Sequence, residues 1–206
     1  IIENRHVLDQ LKEYEYAMRQ QILFQREKSS PNKGITTDTL INGVRVIPVV
    51  FHIIHDNGIE NIGDEQVLNA IELLNIDFSA TNSDTVLGVN TASQFAGRRA
   101  NPAIEFRLAR LDPDGNPTSA ILHHQDTSAN GVSYPVMATY AWDPQKYLNI
   151  FTVGGISVEG MGEGTIVGMS LFPPTNPLTS LFTDDPMCDG VLIRHDAIGN
   201  IGTAEN

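Results

Sequence analysis

The run VRVIPVVFHII, Val44 to Ile54, is rich in β-branched residues and apolar at both odd and even positions. That pattern predicts a central strand buried on both faces. The DNG at 56–58 turns the chain. Asp64 to Phe78 then carries Val67, Ile71, Leu74 and Phe78 as one helical stripe. Asp64 and Glu65 fall in its first turn, where the helix dipole favours negative charge. Four further strands are predicted, AIEFRLA (103–109), YLNIFTV (147–153), TIVGMSLF (165–172) and GVLIR (190–194), with a strong turn signal in DPDGNP (112–117). Long polar connections, 79–101, 116–141 and 173–189, separate them. Loops of that length in a compact domain are usually functional or hold local structure.

Upstream, residues 4–27 read as an amphipathic helix. Val7, Leu11, Tyr14, Met18 and Ile22 form its stripe, and Lys12, Glu13, Arg19 and Glu27 lie between them. EKSSPNKG (27–34) follows as a polar linker, and Arg26, Lys28 and Lys33 make it a site for proteolytic nicking. The pattern therefore divides the chain into a detachable segment, 1–34, and one domain, 35–206. No internal repeat or low-complexity tract is visible.

Composition narrows the function classes. Of 206 residues, 41% are hydrophobic and 18% charged, the profile of a globular protein. The net charge of −12 repels polyanions, so nucleic acid is not an expected partner. No apolar run approaches the ~20 residues that span a bilayer, so no membrane span is expected. The chain opens on Ile1 without a signal segment, as a processed product of export would. Cys188 is the single cysteine. It has no internal disulfide partner and is expected to be a buried free thiol, or to pair outside these residues.

The candidate chemistry is sparse. FHIIH places His52 and His55 three apart, but in a strand such positions face opposite ways. The reading is a core histidine with a hydrogen-bonded ring (His52) and a strand-end residue (His55), not a chelating pair. His123 and His124, followed by Asp126, are expected in a solvated loop. His195 and Asp196 follow a strand end, a weak signal. No serine sits in a G-x-S-x-G elbow, and GGISVEGMGEG has neither the lysine of a phosphate loop nor the spacing of a dinucleotide fingerprint. TDDPMCDG (183–190) offers three aspartates that calcium could use, without matching an EF-hand loop, so a solvated acidic loop is expected.

Six segments in order resemble the pappalysin-type metzincins, zinc endopeptidases, and most of all their secreted bacterial members. They are VIPVVFHIIHDNG, IGDEQVLNAIELLNIDFSATN, NPAIEFRLARLDPDGNPT, WDPQKYLNIFTV, GMSLFPP and DGVLIRHDAIGNIGT. The resemblance covers about residues 44–203. It implies an α/β (α+β) upper, N-terminal subdomain over residues 35–206: a twisted, mixed five-stranded sheet with a long backing helix, preceded by a helical pro-segment. It also implies a secreted or cell-surface zymogen. An extended peptide would add antiparallel to an edge strand on the upper rim of the cleft, matched here by Val167, Gly168, Met169, Ser170 and Leu171. A core strand is the alternative for the same residues.

The resemblance also shows what these residues lack. The family's zinc motif, H-E-x-x-H-x-x-G-x-x-H, follows the segment matching DGVLIRHDAIGNIGT, and the chain stops at Asn206 before it. None of the six histidines has H-x-x-x-H spacing. Zinc is thus implied for a full-length protein only, with calcium as a further option. No catalytic residue is assigned here. In the pro-segment, a cysteine switch is excluded, and Glu3, His6 and Asp9 are either zinc-capping candidates or exposed helix residues. Two functions remain open: the pro-segment and upper half of a zinc metalloendopeptidase, or an inactive truncated or cargo chain. In either case a C-terminal continuation or a partner such as secretion machinery would cover the exposed apolar face.

Overall fold

The computed structural model describes residues 40–83, 100–158, 166–171, 183 and 185–205. The predicted helix at 4–27, its linker and the zinc-capping candidates Glu3, His6 and Asp9 lie outside the described residues.

Strand β2, Val44–His55, organises the sheet, and every residue from Val49 to His55 is buried. The hairpin strand β1, Leu40–Ile41, pairs antiparallel with its start. β3 (Ile104–Leu108) and β4 (Ile121–Gln125) pair parallel with its lower and upper halves in turn. Val49 faces both Leu108 and Leu148, so β5 (Leu148–Val153) lies on the opposite edge from β3. Beyond β5 come β7 (Val191–Arg194), parallel, and β6 (Gly168–Ser170), antiparallel. The sheet is mixed, as expected. Among the described residues its seven strands are the five anticipated ones plus the short β1 and β4.

A proline inside such a strand needs a reason, because it cannot donate to a ladder. In β2 the odd residues bond toward β3 and β4: Arg45 N–H donates to Ala103 O, and Val49 O accepts from Ala109 N–H. Even residues therefore bond toward the other edge. There β1 pairs no further than Arg45, and β5 begins at Val49. Pro48 falls in the gap between them, where no N–H is required.

The two faces of β2 are covered differently. Helix α1, Asp64–Phe78, has the predicted limits and packs Val67 and Ala70 against Val49, Phe51 and Ile53. On the other face, Ile54, Phe151 and Leu192 pack against Tyr134 and Met137 of helix α2, Tyr134–Tyr140. The expected 116–141 loop thus contains both β4 and α2. Among the described residues the first face is incompletely filled. An open groove of about 520 Å³ runs beside α1, lined by Ile71, Leu74, Phe78, Ile150, Val191 and Ile193, among others.

Residues 195–205 close back onto α1 through one buried carboxamide. Gln66 Nε2 donates to His195 O (2.8 Å) and Ile198 O (3.0 Å), while its Oε1 accepts from Thr203 N–H (3.1 Å). Asn69 Oδ1 accepts from Asn200 N–H at 2.9 Å. Gly202, at φ +63°, sits so close that a Cβ would lie 2.5 Å from Gln66 Oε1. Glycine is needed there for both backbone and space.

Gln66→Leu keeps the helix but removes every bond of the Gln66 carboxamide, leaving the Asn69–Asn200 bond alone. We expect a loss of roughly 1–3 kcal/mol in urea unfolding. Amide exchange should accelerate at Asn200 and Thr203 before it does in β5. An unchanged exchange pattern would show that the clasp contributes nothing.

Candidate functional site at the free edge of the sheet

The histidines come first, because they are the natural suspects. His52 is fully buried, with Nδ1 3.2 Å from His124 Nε2 and Nε2 3.0 Å from Asn149 Oδ1. The backbone fixes the protons. Trp142 N–H donates to Asn149 Oδ1 (2.8 Å), and Asn149 Nδ2 donates to Trp142 O (2.8 Å), so the amide has one orientation. His52 Nε2 must therefore carry a proton to donate to that oxygen. His52 Nδ1 is then an acceptor, and His124 Nε2 donates to it. Tyr140 stacks on His124 with centroids 4.1 Å apart and donates its hydroxyl to Asp126 Oδ2 (3.0 Å). His52 is thus a core histidine with a hydrogen-bonded ring, as predicted. His123 and His124 are not in a solvated loop: they sit on β4. Their side chains alternate, one toward Asn61 and the other into the core.

Burial, opposed by the Asn149 hydrogen bond and helped by nearby His124, lowers the His52 pKa from 6.5 to about 4. Burial also lowers that of His124. The cluster can hold two neutral rings, and a proton on His52 Nδ1 would confront the His124 N–H. It ties β2, β4, β5 and α2 together.

At the carboxyl end of β2 lies a second polar group. His123 Nδ1 is 2.6 Å from Asn61 Oδ1, and its Nε2 is 3.5 Å from Asp64 at the start of α1. His55 Nδ1 accepts from Asn57 N–H (3.2 Å), and the carboxylate of Glu60 accepts from the backbone of Asp56 (2.7 Å) and Gly58 (3.0 Å). His195 is buried there with Nδ1 unpartnered. These contacts shape a turn and seat a helix. Among the described residues no three His, Cys, Asp or Glu side chains are placed to hold a metal. The residues described here therefore do not fit a zinc centre. Asp185 caps a short turn through Met187 N–H (2.9 Å). Cys188 is buried, free and donates to Tyr134 O at 3.2 Å, and burial raises its pKa.

The edge residues Val167 to Leu171 are arranged differently. β6 has one partner among the described strands, β7, and terminates the sheet order. Arg194 N–H donates to Val167 O (2.9 Å), which makes Val167–Arg194 a hydrogen-bonded pair. By antiparallel alternation Met169–Leu192 is the next such pair, while Gly168–Ile193 and Ser170–Val191 are non-bonded pairs. The N–H and C=O groups of Gly168 and Ser170 therefore point away from β7, along the free edge. Met169 and Leu171 pack into the α2-side core. Gly168 and Ser170 project to the opposite face, beside Ile193 and Val191 of the groove. An edge with two residues of outward-pointing backbone is a surface onto which an extended peptide can pair.

This sheet, with its backing helix and terminal antiparallel strand, is a metzincin-like protease fold. The resemblance is to mirolysin of Tannerella forsythia in its mature form with a cleaved peptide: TM-score 0.63, 32% identity, over 79% of this chain and 57% of that one. Mirolysin in complex with a compound gives TM-score 0.63 and 33% identity over the same shares of the two chains. A T. forsythia promirolysin mutant gives TM-score 0.64 and 31% identity over 81% of this chain and 52% of that one. The chain thus spans somewhat over half the length of these proteins. No protein-family model matches it, and no curated protein matches it in sequence. Among the described residues, no helix is long and apolar enough to cross a membrane.

The two neutral histidines make stability pH-dependent, with a definite sign. Below pH 6.5 the unfolded chain protonates His52, whereas the folded chain resists until about pH 4. Stability is therefore full above the first value and lost as pH falls toward the second, by about 3 kcal/mol for this group. Urea unfolding across that range should show the decline, and NMR titration should keep His52 a neutral Nε2–H tautomer to near pH 4. A His52 titrating near 6.5 would contradict the proton assignment.

Proposed function

We propose that this chain is the pro-segment and upper catalytic subdomain of a secreted, pappalysin-type zinc metalloendopeptidase, and that Val167–Leu171 bind its peptide substrate. The observation that carries the reading is the outward-facing backbone of Gly168 and Ser170 at the end of a metzincin-like sheet. Mature mirolysin, similar in fold, has been captured with a cleaved peptide. An extended peptide would pair antiparallel with β6, held by main-chain bonds that read no particular sequence. No catalytic step is assigned to the residues described here. Zinc and the groups that bind it would belong to the remainder of a longer parent protein.

The apolar groove supports the longer parent. Among the described residues it leaves Phe78 exposed and Ile71, Leu74 and Ile193 half-buried at the sheet face, an apolar surface suited to burial by a further segment. A C-terminal continuation packed there would complete the domain. The second reading, an inactive or cargo chain whose groove is covered by another protein, is favoured by the lack of a metal-binding group among the described residues.

Intact mass and zinc content on protein purified from its native source separate the two. A mass well above 22.5 kDa, about one zinc per chain and peptidase activity abolished by a chelator support the protease. A mass matching 206 residues without zinc sinks it.

The edge itself is tested by Ser170→Pro. Its N–H lies outside the β6–β7 ladder, so the sheet should tolerate the change. Peptide affinity should fall about tenfold, the value of roughly one main-chain hydrogen bond. Undiminished affinity would place the peptide elsewhere.

A further inference from the structure

Asparagine followed by glycine is prone to react with itself. The glycine nitrogen attacks the asparagine side-chain carbon, and with no Cβ on the glycine nothing shields that approach. The chain carries three such pairs, Asn42–Gly43, Asn57–Gly58 and Asn130–Gly131, and all lie among the described residues. The attacking group is the glycine amide after it has lost its proton. Whatever holds that proton therefore decides whether the reaction starts.

Two of the three pairs are guarded. Gly58 N–H donates to Glu60 Oε1 at 3.0 Å, and Asp56 N–H shares the same oxygen at 2.7 Å. A carboxylate beside the nitrogen holds its proton and opposes an amide anion. A Cβ at Gly58 would collide with that carboxylate, so Glu60 is packed directly over the turn. Gly131 N–H donates to Ser128 O at 2.8 Å. The Asn130 side chain is itself wedged against Gly154, where a Cβ would strike its Oδ1.

Asn42–Gly43 has neither protection. It forms the two-residue turn between β1 and β2, with φ of 53° and 83°, the positive pair that a type I′ hairpin needs. Both residues are exposed, and a Cβ at Gly43 would meet nothing within 4 Å. The hairpin pairs are Ile41–Val44 and Leu40–Arg45, so Gly43 N–H has no acceptor among the described residues. β1 is only two residues long, and so short a strand resists opening of the turn weakly.

We propose that Asn42 is a site of spontaneous isoaspartate formation, and that Glu60 protects Asn57 from the same reaction. The Gly43 nitrogen gives its proton to solvent base and bonds to Asn42 Cγ. The bond from Cγ to Nδ2 breaks, and that nitrogen leaves as ammonia. One water then opens the succinimide at either carbonyl, leaving aspartate or isoaspartate with no change of oxidation state. Isoaspartate routes the main chain through the side-chain methylene, one atom longer. A two-residue turn cannot absorb the extra atom, so the two β1 pairs lose register while β2 and β5 keep theirs. The modification frees β1, the strand by which the chain enters the sheet.

The test is to age the full-length folded protein in mildly alkaline buffer at body temperature and map it by mass spectrometry. Fragmentation that separates isoaspartate from aspartate gives the rate at each site. Asn42 should convert about tenfold faster than Asn57 or Asn130, the rate equivalent of roughly one hydrogen bond. In urea the three rates should converge. Glu60→Ala should raise the Asn57 rate about tenfold and leave Asn42 unchanged, and Glu60→Gln, which keeps an acceptor without its charge, should fall between. Amide exchange in the aged protein should accelerate at Val44 before it does in β5. An Asn42 rate no higher than the other two in the folded chain would overturn the assignment. If Glu60→Ala speeds Asn130 as well, it has loosened the whole domain, and Glu60→Gln decides: acceleration at Asn57 alone supports the guard, and no change there removes it.

Discussion

Everything in this structure is registered to β2, a strand with partners on both edges and cover on both faces. A strand in that position cannot slip by one residue, because the odd and even side chains would exchange layers. Phe51 and Ile53 would leave α1, and His52 would leave the Asn149 oxygen that accepts its proton. The polar chain Trp142–Asn149–His52–His124 is the strictest part of the constraint. Apolar packing tolerates small displacements, whereas a buried imidazole without its partners costs the desolvation of both nitrogens. That network therefore specifies register as well as contributing stability, and it fixes where β5, and through it β7 and β6, must lie.

The consequence for function is geometric. Because β5 is held to β2 and β7 to β5, the outermost strand β6 is placed by two parallel pairings and a final antiparallel one. β6 is three residues long, too short to be stable alone. Met169, with Leu171 just beyond the strand, anchors it in the α2-side core, and among the described strands nothing pairs with its outer edge. A short, well-anchored edge suits pairing with a transient partner. Long flat edges invite aggregation, whereas a short one paired with a rigid neighbour presents few groups in a fixed orientation.

Much of this was legible in the sequence, for reasons that also explain the rest. β2 and α1 declared themselves because each carries its own pattern, a run of β-branched residues and a stripe at helical spacing. β4 did not: ILHHQ has two histidines, and its apolar character becomes sensible only when Ile121 meets the α1-side core and His124 meets His52. α2 was hidden by brevity, seven residues in a polar loop. Ser133 followed by Pro135 was a helix-start signal that could have found it. His123 and His124 were adjacent and so rightly divergent, but strand alternation is what separates them. Metal ligands were legible in neither: no two histidines have H-x-x-x-H spacing, and the described residues hold no group of ligands for a metal.

Gly168 shows how a structure can sharpen a sequence signal that is weak by itself. A glycine within an apolar strand pattern admits several causes, among them a bulge, a tight bend, a close neighbour or a ligand. At Gly168 the residue pairs in normal register with Ile193, has no positive φ, and among the described residues has room for a Cβ. The same elimination applied to Gly202 gives the opposite answer, since its φ of +63° and the carboxamide of Gln66 account for it fully. The two glycines differ in their physics: Gly202 is required by what the fold contains, whereas Gly168 meets only ordinary contacts among the described residues.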